Sequence, residues 1–147
     1  GIVRIFNTYG PRMHLDDGRA VPNFISQAIN GKPLTVYGDG SQTRSFCFIN
    51  DMIEGIYRLF ISTIHNPVNI GNPEEISILE LAQLINTLVG NQAGLIQNTH
   101  KRLEGDPERR QPDITLAKDT LDWSPKVKIE GGLLETIAYF RESMTQK

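Results

Sequence analysis

Gly38-Asp39-Gly40-Ser41-Gln42-Thr43-Arg44-Ser45-Phe46-Cys47-Phe48-Ile49-Asn50-Asp51 reads as a glycine turn, a short strand and the start of a helix. Glycine tolerates backbone conformations closed to other residues, so this turn can approach a ligand closely, and Ser41, Gln42 and Thr43 add hydrogen-bonding side chains. Alternate residues of an extended segment share a face, which puts Arg44 with Phe46 and Phe48 and sets Ser45, Cys47 and Ile49 opposite. An arginine on an aromatic face needs an anion. A bidentate phosphate or carboxylate contact satisfies it, at about 1.5–3 kcal/mol per charged hydrogen bond; an ion pair within the fold does so equally well. From these residues alone both readings stand.

Working outward towards the N-terminus, Leu34-Thr35-Val36-Tyr37 is a short strand leading into the turn. A helix at 21–30 precedes it, with Pro22 in the first turn, Phe24, Ile25, Ala28 and Ile29 at helical spacing, and Gly31 at the C-cap. Asn23 sits at the helix start, where side chains and free backbone N–H groups can meet a ligand. Between 11 and 19 runs a polar loop carrying His14 and Arg19, residue types that are more often solvated bystanders. Ile2-Val3-Arg4-Ile5-Phe6 is nearly continuous in apolar residues and suits a strand covered on both faces, as in a parallel sheet. The chain opens on Gly1 with no methionine and enters this strand at once, which reads as a cut through a larger domain.

Towards the C-terminus, Asp51 with Glu54 three residues on predicts an N-cap for a helix that turns Met52, Ile53, Ile56, Tyr57, Leu59 and Phe60 inward. Residues 68–73 read as strand and turn. Ser77-x-x-Glu80 is a capping box opening a helix that Gly90 closes. A short strand at 94–99 leads to a polar loop over 100–113, expected to move or order on ligand binding, in which Arg109-Arg110 is held between Pro107 and Pro112. Helices at 114–122 and 130–143 complete the chain.

The 147 residues are 39% hydrophobic and 22% charged, ordinary for one globular domain, and the formal net charge of −2 leaves no broad basic field for nucleic acid or acidic membranes. Any anion binding must be local. The single cysteine, Cys47, rules out an intrachain disulfide and fits a reducing, cytoplasmic setting. No apolar run approaches the ~18 residues of a membrane span. His14, His65 and His100 lie far apart, so no metal is expected. Gly38-x-Gly40 lacks the third glycine and the following helix of a dinucleotide fingerprint. No tyrosine has a lysine four residues later, and no Gly-x-Ser-x-Gly elbow occurs.

Arg4-Ile5-Phe6-Asn7-Thr8-Tyr9-Gly10-Pro11-Arg12-Met13-His14, Asp17-Gly18-Arg19, the stretch Leu34 to Phe46, and Arg109-Arg110-Gln111-Pro112-Asp113-Ile114 together resemble the C-terminal half of a UDP-glucuronate decarboxylase, or UDP-xylose synthase. These enzymes belong to the extended short-chain dehydrogenase/reductases. Gly-x-Gly-x-Gln-Thr-Arg and Phe-Asn-x-x-Gly-Pro are shared with nucleotide-sugar dehydratases and epimerases, whereas Pro-Arg-Met-His followed by Asp-Gly-Arg points to the decarboxylases. The resemblance implies an α/β fold: a last Rossmann strand with its loop over 1–20, then a small substrate-binding domain over 21–147, some of whose segments return to the Rossmann sheet.

It also implies NAD as cofactor, a homodimer, and oxidation of the sugar at carbon 4, loss of CO2 and return of the hydride to give UDP-xylose. By position, Asn7 would contact the sugar nucleotide, Thr8, His14 and Arg19 would border NAD, and Asn23, Phe24 and Tyr37 would line the UDP pocket. Arg44 and Arg110 would clamp the diphosphate, Arg110 also lying near the sugar carboxylate. The family's glycine-rich cofactor loop and Tyr-x-x-x-Lys dyad precede its Phe-Asn-x-x-Gly-Pro motif, so this chain is expected to be inactive alone, and a membrane-anchored parent stays open. A dehydratase or epimerase fragment and a non-catalytic nucleotide-sugar binding module are the alternatives.

Overall fold

The alternation read over 44–48 divides the interior in two. Phe46 and Phe48 face a larger core built with Tyr9, Phe24, Ile25, Leu34, Leu81, Ile85, Leu133 and Phe140. Cys47, between them, faces a smaller core of Met52, Leu59, Val68, Ile70, Ala117, Leu121 and Trp123. The structure, a computed structural model, describes residues 1–15, 17–98 and 109–145.

The larger core lies among β2 (Thr8–Tyr9), α1 (Ala20–Ile29), β3 (Leu34–Tyr37), β5 (Cys47–Phe48), α3 (Ile78–Val89) and α5 (Ile129–Thr145). The smaller one lies under β1 (Ile2–Ile5), α2 (Ile49–Ile61), β6 (Pro67–Ile70) and α4 (Thr115–Leu121). Three parallel pairs form, β1 with β6, β2 with β5 and β3 with β8 (Leu95–Asn98). A three-stranded sheet centres on β4 (Thr43–Ser45), with β7 (Glu75–Ser77) antiparallel on one side and β9 (Arg109–Arg110) parallel on the other. The mixed α/β architecture is the one expected from the sequence. Among the described residues no helix is long and apolar enough to cross a membrane.

Local chemistry accounts for both ends of α3. The Ser77 hydroxyl accepts from the Glu80 N–H at 3.1 Å, the Glu80 carboxylate accepts from the Ser77 N–H at 2.9 Å, and Gly90 ends α3 in the left-handed region. The Glu80 carboxyl is accordingly held below the usual range, first by the Ser77 hydroxyl. Three expectations are corrected. Ile53, Tyr57 and Phe60 of α2, expected to turn inward, are exposed, since the buried stripe of that helix is narrower and runs through Met52, Gly55 and Leu59. Asp51 does not cap α2, which begins at Ile49; its carboxylate instead accepts the Lys126 and Val127 N–H groups at 2.9 and 2.8 Å, and its carbonyl accepts the Trp123 indole N–H at 3.0 Å. Asp51 thus ties α2 to the segment joining α4 and α5. The β1 strand, expected to be covered on both faces, leaves Ile2 and Ile5 each 58% exposed, and among the described residues β6 is its one strand neighbour.

Candidate functional site

A cavity of about 650 Å³ opens where β2, α1, β3 and β4 meet, within the size range of small-molecule sites. Asn7 and Thr8 enter it from the β1–β2 junction, Arg19 and Asn23 from the start of α1, Thr35 and Tyr37 from β3. Gln42, Arg44 and Phe46 line the opposite side together with Ile78 at the start of α3. Five stretches of the sequence therefore meet at one space and bring to it polar groups and three aromatic rings, Phe24, Tyr37 and Phe46.

Each stretch is fixed for a local reason. The α1 helix is amphipathic, and burial of Val21, Phe24, Ile25 and Ala28 turns Asn23 towards the cavity. The Gln27 side chain accepts the Thr35 N–H at 3.0 Å, tying α1 to β3. Arg44 and Gln42 are two apart in extended chain and share a face, both 9% exposed. An Arg44 guanidinium N–H donates to the Thr43 carbonyl at 2.7 Å. Gly40 was expected to let the turn close on a ligand. Its close neighbours are instead protein: a Cβ there would stand 2.7 Å from Val36 Cγ1 and 2.9 Å from Leu79 Cβ, at a φ of +73°. The turn seats α3, since the Gly40 and Gln42 carbonyls accept the Leu79 and Ile78 N–H groups, each at 3.0 Å.

Of the residues assigned by position, Asn7, Thr8, Arg19, Asn23, Phe24, Tyr37 and Arg44 line this cavity, while His14 and Arg110 do not. His14 is exposed in the loop, where its carbonyl accepts the Asp17 N–H at 3.2 Å. Arg19 is ion-paired with Asp17, whose carboxyl lies below the usual range because of that hydrogen bond. Phe24 is also a core residue, 3% exposed, whereas the Tyr37 ring is half exposed at the rim. Arg110 lies on β9, strand-paired to Arg44, with its carbonyl accepting the Ser45 hydroxyl at 3.2 Å. The loop expected over 100–113 lies outside the described residues up to 108. Sequence reasoning missed Thr35 as a cavity residue; its alternation with Tyr37 along β3 was the available signal.

The profile of the family described as NAD dependent epimerase/dehydratase matches residues 1–71, and UDP-glucuronic acid decarboxylase 1 of Danio rerio is 50% identical over 143 residues, 97% of this chain. Over its first 71 residues the chain is therefore similar to that epimerase/dehydratase family. UDP-glucuronic acid decarboxylase 2 of Arabidopsis thaliana is 49% identical over 141 residues, 96% of the chain. The chain spans about a third of the length of these relatives, 34% and 31% respectively. Among solved members of the fold, the UDP-glucuronic acid 4-epimerase of Bacillus cereus in complex with UDP-glucuronic acid and NAD superposes with a TM-score of 0.87 at 34% identity, over 97% of this chain and 45% of that one. The UDP-glucose 4-epimerase of Thermotoga maritima with UDP-glucose gives 0.90 at 26% identity, over 97% and 46%.

Proposed function

We propose that this chain is the substrate-binding part of a UDP-glucuronic acid decarboxylase, a homodimeric NAD-dependent enzyme that converts UDP-glucuronic acid to UDP-xylose and CO2. The observation that carries the reading is the convergence of Asn7, Asn23, Tyr37 and Arg44, from four separate stretches, on one cavity. The identity of about half to curated decarboxylases supports the choice within the family.

The substrate is a polyanion with an aromatic base at one end. Arg44 and Arg110 flank its diphosphate, where a guanidinium fork matches phosphate geometry. Phe24, Tyr37 and Asn23 take the uridine end, and Asn7 contacts the sugar nucleotide. Holding the sugar in one orientation is this chain's contribution to rate. Arg110 near the sugar carboxylate favours loss of CO2 only if that contact weakens as CO2 leaves, because binding ground state and transition state equally accelerates nothing. Thr8 at the β1–β2 junction, Arg19 at the start of α1 and the exposed His14 fit an edge contact with NAD, for which the exposed Arg19 guanidinium would exchange or share its Asp17 partner. NAD, when bound, supplies reversible hydride acceptance. In this reading residues 1–20, together with α2, β6 and α4, belong to the cofactor side, which the parallel β1–β6 pair supports.

The test is an assay of the longest protein carrying this sequence with UDP-glucuronic acid labelled at the carboxylate carbon. Labelled CO2 is expected. Retention of the label in a carbon-4 epimer would assign the protein to the epimerases, which the likeness to the Bacillus cereus enzyme makes the second reading.

A further inference from the structure

Glu75 sits on β7, outside the cavity lining, yet reaches across the sheet. Its carboxylate accepts the Thr43 hydroxyl of β4 at 2.8 Å and takes a bidentate grip on Arg109 of β9, Oε1 accepting from Nε at 2.9 Å and Oε2 from Nη2 at 2.6 Å. One side chain thereby links all three strands. A rim ion pair between flexible side chains contributes little. This one differs in geometry: the fork fixes the arginine's plane, the Thr43 hydroxyl donates to the same carboxylate, and the Gln111 side-chain amide oxygen accepts an Arg109 guanidinium N–H at 2.8 Å.

Alternation along β9 makes this consequential. Arg109, in register with Thr43, lies on the Glu75 side of the sheet, so Arg110, in register with Arg44, lies on the other. β9 comprises two residues; besides the strand pairing, the other tethers among the described residues are the Ser45 hydroxyl on the Arg110 carbonyl at 3.2 Å and the Gln111 side-chain N–H on the Pro73 carbonyl at 2.8 Å. We propose that Glu75 is a positioning residue: by clamping Arg109 it fixes β9 in register and holds Arg110 beside Arg44, where the pair can bracket a diphosphate. The ligand part of this inference rests on the decarboxylase reading; the strand part does not.

Two measurements on this 147-residue chain test it, with Glu75→Gln, which keeps size and loses the charge, as the variant. Amide hydrogen exchange at 109–111 is expected to quicken at least about tenfold while exchange within α3 stays unchanged. UDP affinity, measured by calorimetry, is expected to fall about tenfold, the loss of one charged contact. That fall should vanish in an Arg110→Ala background, and uridine binding, followed by NMR shifts, should not change. Unchanged exchange at 109–111 would overturn the strand role. An equal loss of UDP affinity with and without Arg110, or a parallel loss for uridine, would overturn the positioning role and leave only a structural one. Failure of the unaltered chain to bind UDP would instead count against the pocket reading, with the exchange experiment still deciding whether Glu75 holds β9.

Discussion

The Tyr9 hydroxyl lies 2.1 Å from where a Cβ on Gly132 would stand. The phenol is buried, donates to the Ile129 carbonyl at 3.3 Å, and has its pKa raised chiefly by burial. Ordinarily alanine in place of a helical glycine stabilises by up to about 1 kcal/mol. At Gly132 the clash wins, since Tyr9 is wedged against Phe48 and cannot retreat, and Gly132→Ala is expected to cost about 1–3 kcal/mol. Gly131, one residue earlier on α5, has open space around the same position. Urea denaturation should therefore show Gly131→Ala neutral or stabilising and Gly132→Ala destabilising; equal effects would refute the packing argument.

Acid should weaken the fold through a definable set of carboxyls. Hydrogen bonds hold Asp17, Glu75, Glu80 and Asp113 below the usual range, from Arg19, Arg109, Ser77 and Thr115 respectively as the first cause. A depressed folded-state pKa stabilises above the unfolded value, roughly 4, and that contribution is lost as pH falls through the lower folded value. Melting temperature should be flat from pH 7 to about 5 and fall below about 4. Ser77→Ala removes the α3 cap and is expected to cost about 1 kcal/mol at pH 7. The gap between variant and parent should narrow on acidification, because protonation of Glu80 dismantles the parent's own capping box; a pH-independent gap would show that Glu80 takes no part.

What could be read from the sequence was what neighbours in sequence decide. Ser77 and Glu80 satisfy each other within one turn, and the alternation of Phe46, Cys47 and Phe48 needs only an extended backbone, so the capping box and the division into two cores were both legible. The strands β7 and β9, three and two residues long, exist because β4 lies between them, and no local pattern announces that. Asp51 shows the same limit from the other side. Its spacing to Glu54 fits a cap, but two N–H groups some 75 residues later compete for the carboxylate and win. The cavity was legible in parts: Asn7, Thr8, Arg19, Asn23, Phe24, Tyr37 and Arg44 line it while His14 and Arg110 do not, and Thr35 follows from its alternation with Tyr37 along β3.

Self-association is the next expectation. Ile53, Tyr57, Phe60 and Ile61 fall at helical spacing on α2 and are exposed, Phe60 by 83%, and Ile2 and Ile5 add to the apolar surface. A contiguous patch of this kind is rare on a monomer. Sedimentation velocity should show concentration-dependent association of this chain, reduced by Phe60→Glu combined with Ile53→Lys. A strictly monomeric parent at all concentrations would mean the patch is tolerated in water.

Cys47 should be inert. It is 1% exposed, and burial, with the Asp51 carboxylate adding repulsion, pushes its thiol up to about 12. At pH 8 only roughly one thiol in ten thousand is then thiolate, the form that reacts. A thiol reagent should label the folded chain only at the rate of opening, and fully in 6 M guanidinium chloride by the standards of an exposed cysteine. Rapid native labelling would contradict the burial.

The sharpest test of the cavity is the comparison of two Arg44 variants with two ligands. Arg44 is nearly buried at the wall, next to Phe46, so its role could be structural, ligand-directed or both. Lysine keeps the charge but loses the planar fork that donates two parallel N–H groups. If the guanidinium grips a diphosphate, UDP affinity should fall about tenfold in Arg44→Lys and about a hundredfold in Arg44→Ala, each tenfold step being about 1.4 kcal/mol. Uridine, which carries no phosphate, should bind the two variants and the parent alike. A structural role makes the opposite demand: loosening β4 would disturb Phe46 and the whole cavity wall, so UDP and uridine would weaken together. Calorimetry for UDP and NMR titration for uridine decide between them. Parallel losses for both ligands would remove Arg44 from the phosphate site, whatever they implied for the fold.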